Sequence, residues 1–148
     1  MSRRYFTLSE VDRLVPRLER IFVHVLQLRA AMRGEEAKLE RAGLPLSPET
    51  LDTSDESEDP QIRHSKAMFR GFYDALVERL AEVEQLGGEI KDVETGLVDF
   101  PARRQGQEIL LCWKLGEKHI GFWHPVDAGF SARRPIDEQI PRLPQRLD

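Results

Sequence analysis

One cysteine, Cys112, stands in a chain of 148 residues. It cannot close a disulfide within the chain, and a lone thiol fits a reducing compartment. Long apolar runs are missing too. No stretch of 18 or more apolar residues occurs, which excludes a membrane-spanning helix. The opening Met1-Ser2-Arg3-Arg4-Tyr5-Phe6 is basic but leads into no apolar segment, so a secretory signal is not expected. A basic cluster is also lacking. Lys and Arg number 22 against 26 Asp and Glu, for a net charge of −4. Six of those acids (Glu49, Asp52, Asp55, Glu56, Glu58 and Asp59) lie together without a base; 26 less these six leaves 20 acids against 22 bases. That balance is too even for a nucleic-acid footprint. Paired cysteines and the H-E-x-x-H motif are absent, and no catalytic set is assigned. The expectation is a cytoplasmic protein, without nucleic-acid or membrane partners, leaning away from an enzyme.

What is present is a change of period. Thr7-Leu8-Ser9-Glu10 has the form of a capping box. From there Val11, Leu14, Leu18, Ile21, Val25, Leu28 and Met32 alternate steps of three and four, so a helix is predicted over 7–42 despite Pro16, which should kink it. Gly43 ends it. Residues 43–59, rich in Pro, Ser, Thr and acid, read as a flexible linker. A second helix over 60–87 opens on Asp59-Pro60, carries Phe69, Phe72, Leu76, Leu80 and Val83 as its stripe, and stops at Gly87-Gly88.

After Leu97 apolar and polar residues alternate. About three antiparallel strands are predicted over 97–124, with turns at Gln105-Gly106 and Gly116-Glu117, then an extended tail over 125–148. The fold class is α+β in one domain: a long helical hairpin packed on a small antiparallel sheet. Two-residue turns set Arg103 opposite Glu108 and His124 opposite Ile109. Val98, Phe100, Ala102, Ile109, Leu111, Trp113, Ile120, Phe122 and His124 then share the helix-facing row. Asp99, Cys112, Gly121, His119 and Trp123 fall on the other face. Pro101 should hold the first strand at an edge.

Gly96-Leu97-Val98-Asp99-Phe100-Pro101-Ala102-Arg103, Leu111-Cys112-Trp113 and Gly121-Phe122-Trp123-His124 through Gly129-Phe130 resemble a bacterial family, domain of unknown function 2203. The Tyr5-Phe6-Thr7-Leu8 opening and Arg133-Arg134-Pro135 are similar to it as well. The resemblance covers essentially the whole chain. It implies a bacterial cytoplasmic protein and brings no activity or binding residues with it.

Three candidate sites emerge from the residues. His124 and Asp127, with Glu117, offer nitrogen and oxygen donors to a divalent transition metal; against this stands a core histidine whose ring bonds Asp127 or a backbone carbonyl. Asp99, Cys112 and His119 form a second-face cluster, which read blandly is a buried thiol beside a loop-bonding carboxylate. Arg103, Arg104, Arg133 and Arg134 form two doublets suited to a small anion, although such pairs more often meet the protein's own acids. Finally, Ile21 to Leu28 is apolar around the whole helix, which predicts a homo-oligomer, most simply a dimer, through helix one. A homo-oligomeric interaction or structural module is the leading reading; a metal- or anion-binding protein centred on His124 is the alternative.

Overall fold

The structure is a computed structural model that describes residues 4–52 and 58–144. The chain is α+β, in two compact units that divide between Phe22 and Val23 and between Ala81 and Glu82. Helix α1 (Leu8–Arg41) runs through both units without a break, Pro16 included. Its capping box forms as the sequence requires. The Thr7 N–H donates to Glu10 Oε1 at 2.9 Å, and the Glu10 N–H donates back to Thr7 Oγ1 at 3.4 Å. That bond to the backbone holds the Glu10 carboxyl below its usual range.

In the unit built on residues 23–81, α1 continues to Arg41, the short helix α2 (Pro48–Asp52) comes next, and α3 (Pro60–Gln85) returns. Leu39 and Ala42 near the end of α1 share a groove with Ile62 and Ser65 near the start of α3, as an antiparallel hairpin requires. The segment predicted as a flexible linker therefore contains a helix. Ser47 caps α2 by exchanging bonds with Thr50, and proline fills the first helical position. Residues 53–57 of that segment, Asp55 and Glu56 among them, lie outside the described residues. Asp59 caps α3 by accepting from the Gln61 N–H at 2.8 Å.

In the unit built on residues 4–22 and 82–144, a five-stranded antiparallel sheet appears among the described residues, rather than about three strands. Its order is β1 (Glu89–Asp92), β2 (Leu97–Arg104), β3 (Gln107–Lys114), β4 (Phe122–Pro125) and β5 (Arg134–Pro135). The tail predicted as extended thus holds a strand and a 3-10 turn, Phe130–Ala132. Val11, Val15, Leu18 and Phe22 of α1 are buried, and Phe22 meets Trp113 with ring centroids 5.8 Å apart. Phe6 meets Phe100 edge-on at 5.3 Å.

The β2–β3 register is the predicted one, with Arg103 opposite Glu108 and Asp99 opposite Cys112. Gln105 and Gly106, both at positive φ, make the tight turn. Two expectations are corrected. Pro101 lies in an inner strand, tolerated because the β1 pairing ends at Asp99; its carbonyl accepts instead from the Phe6 N–H at 2.8 Å. The β3–β4 connection is a longer loop, not a two-residue turn. Its Glu117 carbonyl accepts from Trp113 Nε1 at 3.0 Å, and Asp12 of α1 accepts from the Ile120 N–H at 2.7 Å. β4 therefore starts at Phe122, and the register moves by one. His124 pairs with Leu110 and Pro125 with Ile109. In a sheet, one residue of slip exchanges the faces.

Candidate functional site

That slip assembles the site. Residues that share a face alternate along a strand, and residues directly opposite across strands share it too. Asp99 on β2 faces Cys112 on β3, Cys112 faces Phe122 on β4, and His124 stands two places beyond Phe122. The helix-facing row receives Trp123 instead of His124. β2 and β3 are buried on both faces through their middles, so the second face is an interior rather than the polar surface alternation suggests.

Asp99, Cys112 and His124 are 1%, 0% and 2% exposed, and their donor atoms all lie within 4.8 Å of one another. His124 Nε2 is 2.8 Å from Asp99 Oδ2, and Nδ1 is 2.8 Å from the Pro125 carbonyl oxygen. A carbonyl only accepts, so Nδ1 carries a hydrogen and donates it. The 2.8 Å contact on the other side of the ring then holds one further proton, on Asp99 or on Nε2, and the pair has no net charge in either arrangement. Burial, opposed by the nearby His124, pushes the Asp99 carboxyl up from its usual range. The second oxygen, Asp99 Oδ1, is buried and has no hydrogen-bond partner among the described residues. Burial and the Asp99 charge push the Cys112 thiol up to about 12, against a smaller opposing pull from Arg133. A thiol held neutral in this way is no nucleophile.

The other candidate residues are placed apart. Glu117 is taken up by Arg133, whose Nη2 donates to both carboxylate oxygens at 2.7 and 2.9 Å and to the Cys112 carbonyl at 3.1 Å. Glu117 Oε1 also accepts from the Lys114 N–H. Asp127 is exposed and lines a different groove, and His119 is exposed on the β3–β4 loop. Neither joins His124. Arg103 and Arg104 separate because successive strand residues point to opposite faces, and Arg133 precedes the strand that holds Arg134. Arg103 stacks on Tyr5 at 4.3 Å, and Arg133 lies over Phe122 and Phe130 at 4.2 and 4.7 Å. Arg104 and Arg134 instead lie over Trp123 at 4.9 and 5.2 Å. They border a groove of about 350 Å³ with Asp127 and Glu108 in its wall. Arg104 donates twice to Asp137, which lowers the Asp137 carboxyl. The four arginines do not converge on one anion.

Fold and site together define an α+β protein whose sheet buries a nitrogen, an oxygen and a sulfur donor side by side. The chain belongs to the family described as "Uncharacterized conserved protein", domain of unknown function 2203, whose model matches residues 4–136. No curated protein and no solved structure matches it.

Proposed function

We propose that this is a metal-binding protein, with Asp99, Cys112 and His124 as ligands to a divalent transition ion of the zinc class. The observation that carries the reading is the convergence of three different donor types, each buried, within 4.8 Å of one another. The His124 ring already has the orientation of a ligand imidazole: Nδ1–H is satisfied by a backbone carbonyl, which leaves Nε2 for an ion. Tetrahedral zinc with bonds of about 2.0–2.3 Å sets its ligand atoms roughly 3.3–3.8 Å apart. The Asp99–His124 contact would open by roughly 0.5–1 Å, and Cys112 would close by up to about 1.5 Å. Three protein donors leave one position for water or a small ligand, or for the unpartnered Asp99 Oδ1. The reading assigns binding and no catalytic step. The lone buried thiol favours a cytoplasmic setting.

Protein purified without chelator is expected to carry about one ion per chain by elemental analysis. Metal-free protein titrated with cobalt(II) should develop a thiolate-to-metal charge-transfer band, absent in Cys112→Ser. Wild-type protein that takes up neither zinc nor cobalt at micromolar concentration would end the reading.

A further inference from the structure

Within the unit of residues 23–81, α3 hides little of its apolar surface. Of its residues in this unit only Ser65 and Lys66 are buried, while Phe69, Phe72, Leu76 and Leu80 are half-buried. Tyr73 and Val77 are 51% and 47% exposed. Phe69, Tyr73 and Val77 are four residues apart, so they form one strip along the helix. At the Phe69 end the strip opens into an apolar groove of about 180 Å³, lined by Leu51, Phe69, Arg70, Tyr73 and Asp74. Arg70 and Asp74 flank it, exposed, and neither belongs to an ion pair among the described residues. The grease predicted to drive association through helix one is largely spent within the chain: Ile21, Phe22, Val25 and Leu28 are buried, and only Val23 and Leu26 of that run are exposed hydrophobics.

We propose that the chain forms a two-fold dimer by pairing α3 with α3 of a second copy, antiparallel, about an axis at Tyr73. The strip is self-complementary in that arrangement. An axis at Tyr73 sets each Val77 level with the partner copy's Phe69, so the exposed apolar knob of one copy meets the apolar groove of the other. It also brings Arg70 of each copy within about 3 Å, measured along the helix axis, of Asp74 in the other, counting 1.5 Å per residue. An isologous contact makes each of these pairs twice. Opposite charges at self-matching spacing, with a knob at one end and a groove at the other, select a second copy over an unrelated partner. One helix per copy gives an interface at the small end of the stable range, so association belongs in the micromolar range. The proposal is independent of the metal reading.

Sedimentation velocity of the full chain, from micromolar concentration upward, is expected to show conversion from 17.1 kDa to twice that mass. Tyr73→Glu and Val77→Glu, with helix content retained by circular dichroism, should each weaken the dimer at least tenfold. Arg70→Asp should weaken it as well, and adding Asp74→Arg should restore it. Tyr73→Cys should cross-link rapidly to itself under mild oxidation. A wild-type monomer at every concentration would overturn the proposal, leaving the strip to a different protein. So would a dimer that both glutamate variants leave intact, which would place the contact on another surface such as Val23 and Leu26, or a Tyr73→Cys variant that fails to cross-link.

Discussion

Cys112 and Asp99 are adjacent buried acids, and each titrates in the direction its surroundings dictate. In the metal-free protein the Cys112 thiol is raised to about 12 when folded and sits near 9 when unfolded. A folded value above the unfolded one contributes stability below the unfolded value and loses it as pH rises toward the folded one. Stability should therefore fall above pH 9 by roughly 1.4 kcal/mol per pH unit from this group, and Cys112→Ala should flatten that limb of the melting profile. The same neutral thiol should resist iodoacetamide in the native state and react fully in denaturant, which mass spectrometry reads directly. Asp99 carries the same sign: its contribution is complete below the ordinary carboxylate range and is lost as pH rises through its raised value. Asp99→Asn keeps a hydrogen-bonding group against His124 Nε2 but cannot ionise. Its unfolding free energy relative to wild type should improve steadily as pH rises above about 4. These two residues could be set side by side from the chain alone, because Gln105-Gly106 is a two-residue turn whose register comes from counting. His124 could not. Its place depends on how many residues the next connection holds, and nothing local in Gly116 to Gly121 fixes that number. The bond from Asp12, 108 residues earlier, holds that loop.

At the level of elements, the helices were legible because caps and apolar period agree at Thr7 and at Asp59-Pro60. The strand Glu89–Asp92 was not: it is four residues long, half-buried, and carries one apolar side chain. The turn after it, Asp92 to Gly96, held the stronger signal. The Asp92 side chain accepts from the Glu94 N–H and the Thr95 hydroxyl, an aspartate turn that brings the chain to Gly96 at φ +69°. At that position a Cβ would lie 2.7 Å from Leu115 Cβ. Gly96→Ala combines left-handed strain with overpacking and should cost about 2–4 kcal/mol, measured by urea unfolding. Asp12→Ala removes the acceptor for the Ile120 N–H and should cost about 1–2 kcal/mol. A change of less than a few tenths there would mean that the loop holds itself.

Across the molecule, burial is uneven. The sheet unit hides Val98, Phe100, Leu111 and Trp113 completely, whereas the hairpin unit owes its buried positions to Val25, Leu28, Leu39, Glu35, Ser65 and Lys66. Local opening tracks buried apolar contact. Native-state hydrogen exchange should therefore find the slowest amides in β2 and β3, with α3 opening at a lower free energy. Equal protection throughout would contradict this ordering. The two units also draw differently on the order of the chain. The hairpin is a continuous stretch, 23–81, while the sheet unit is drawn from both ends of the chain and shares α1 with it. The hairpin is synthesised whole before β2 has been made, but the sheet must wait for Arg134–Pro135 to close its last edge. During synthesis the early half of α1 accordingly emerges with its oily flank uncovered, and it depends on later residues to shelter it.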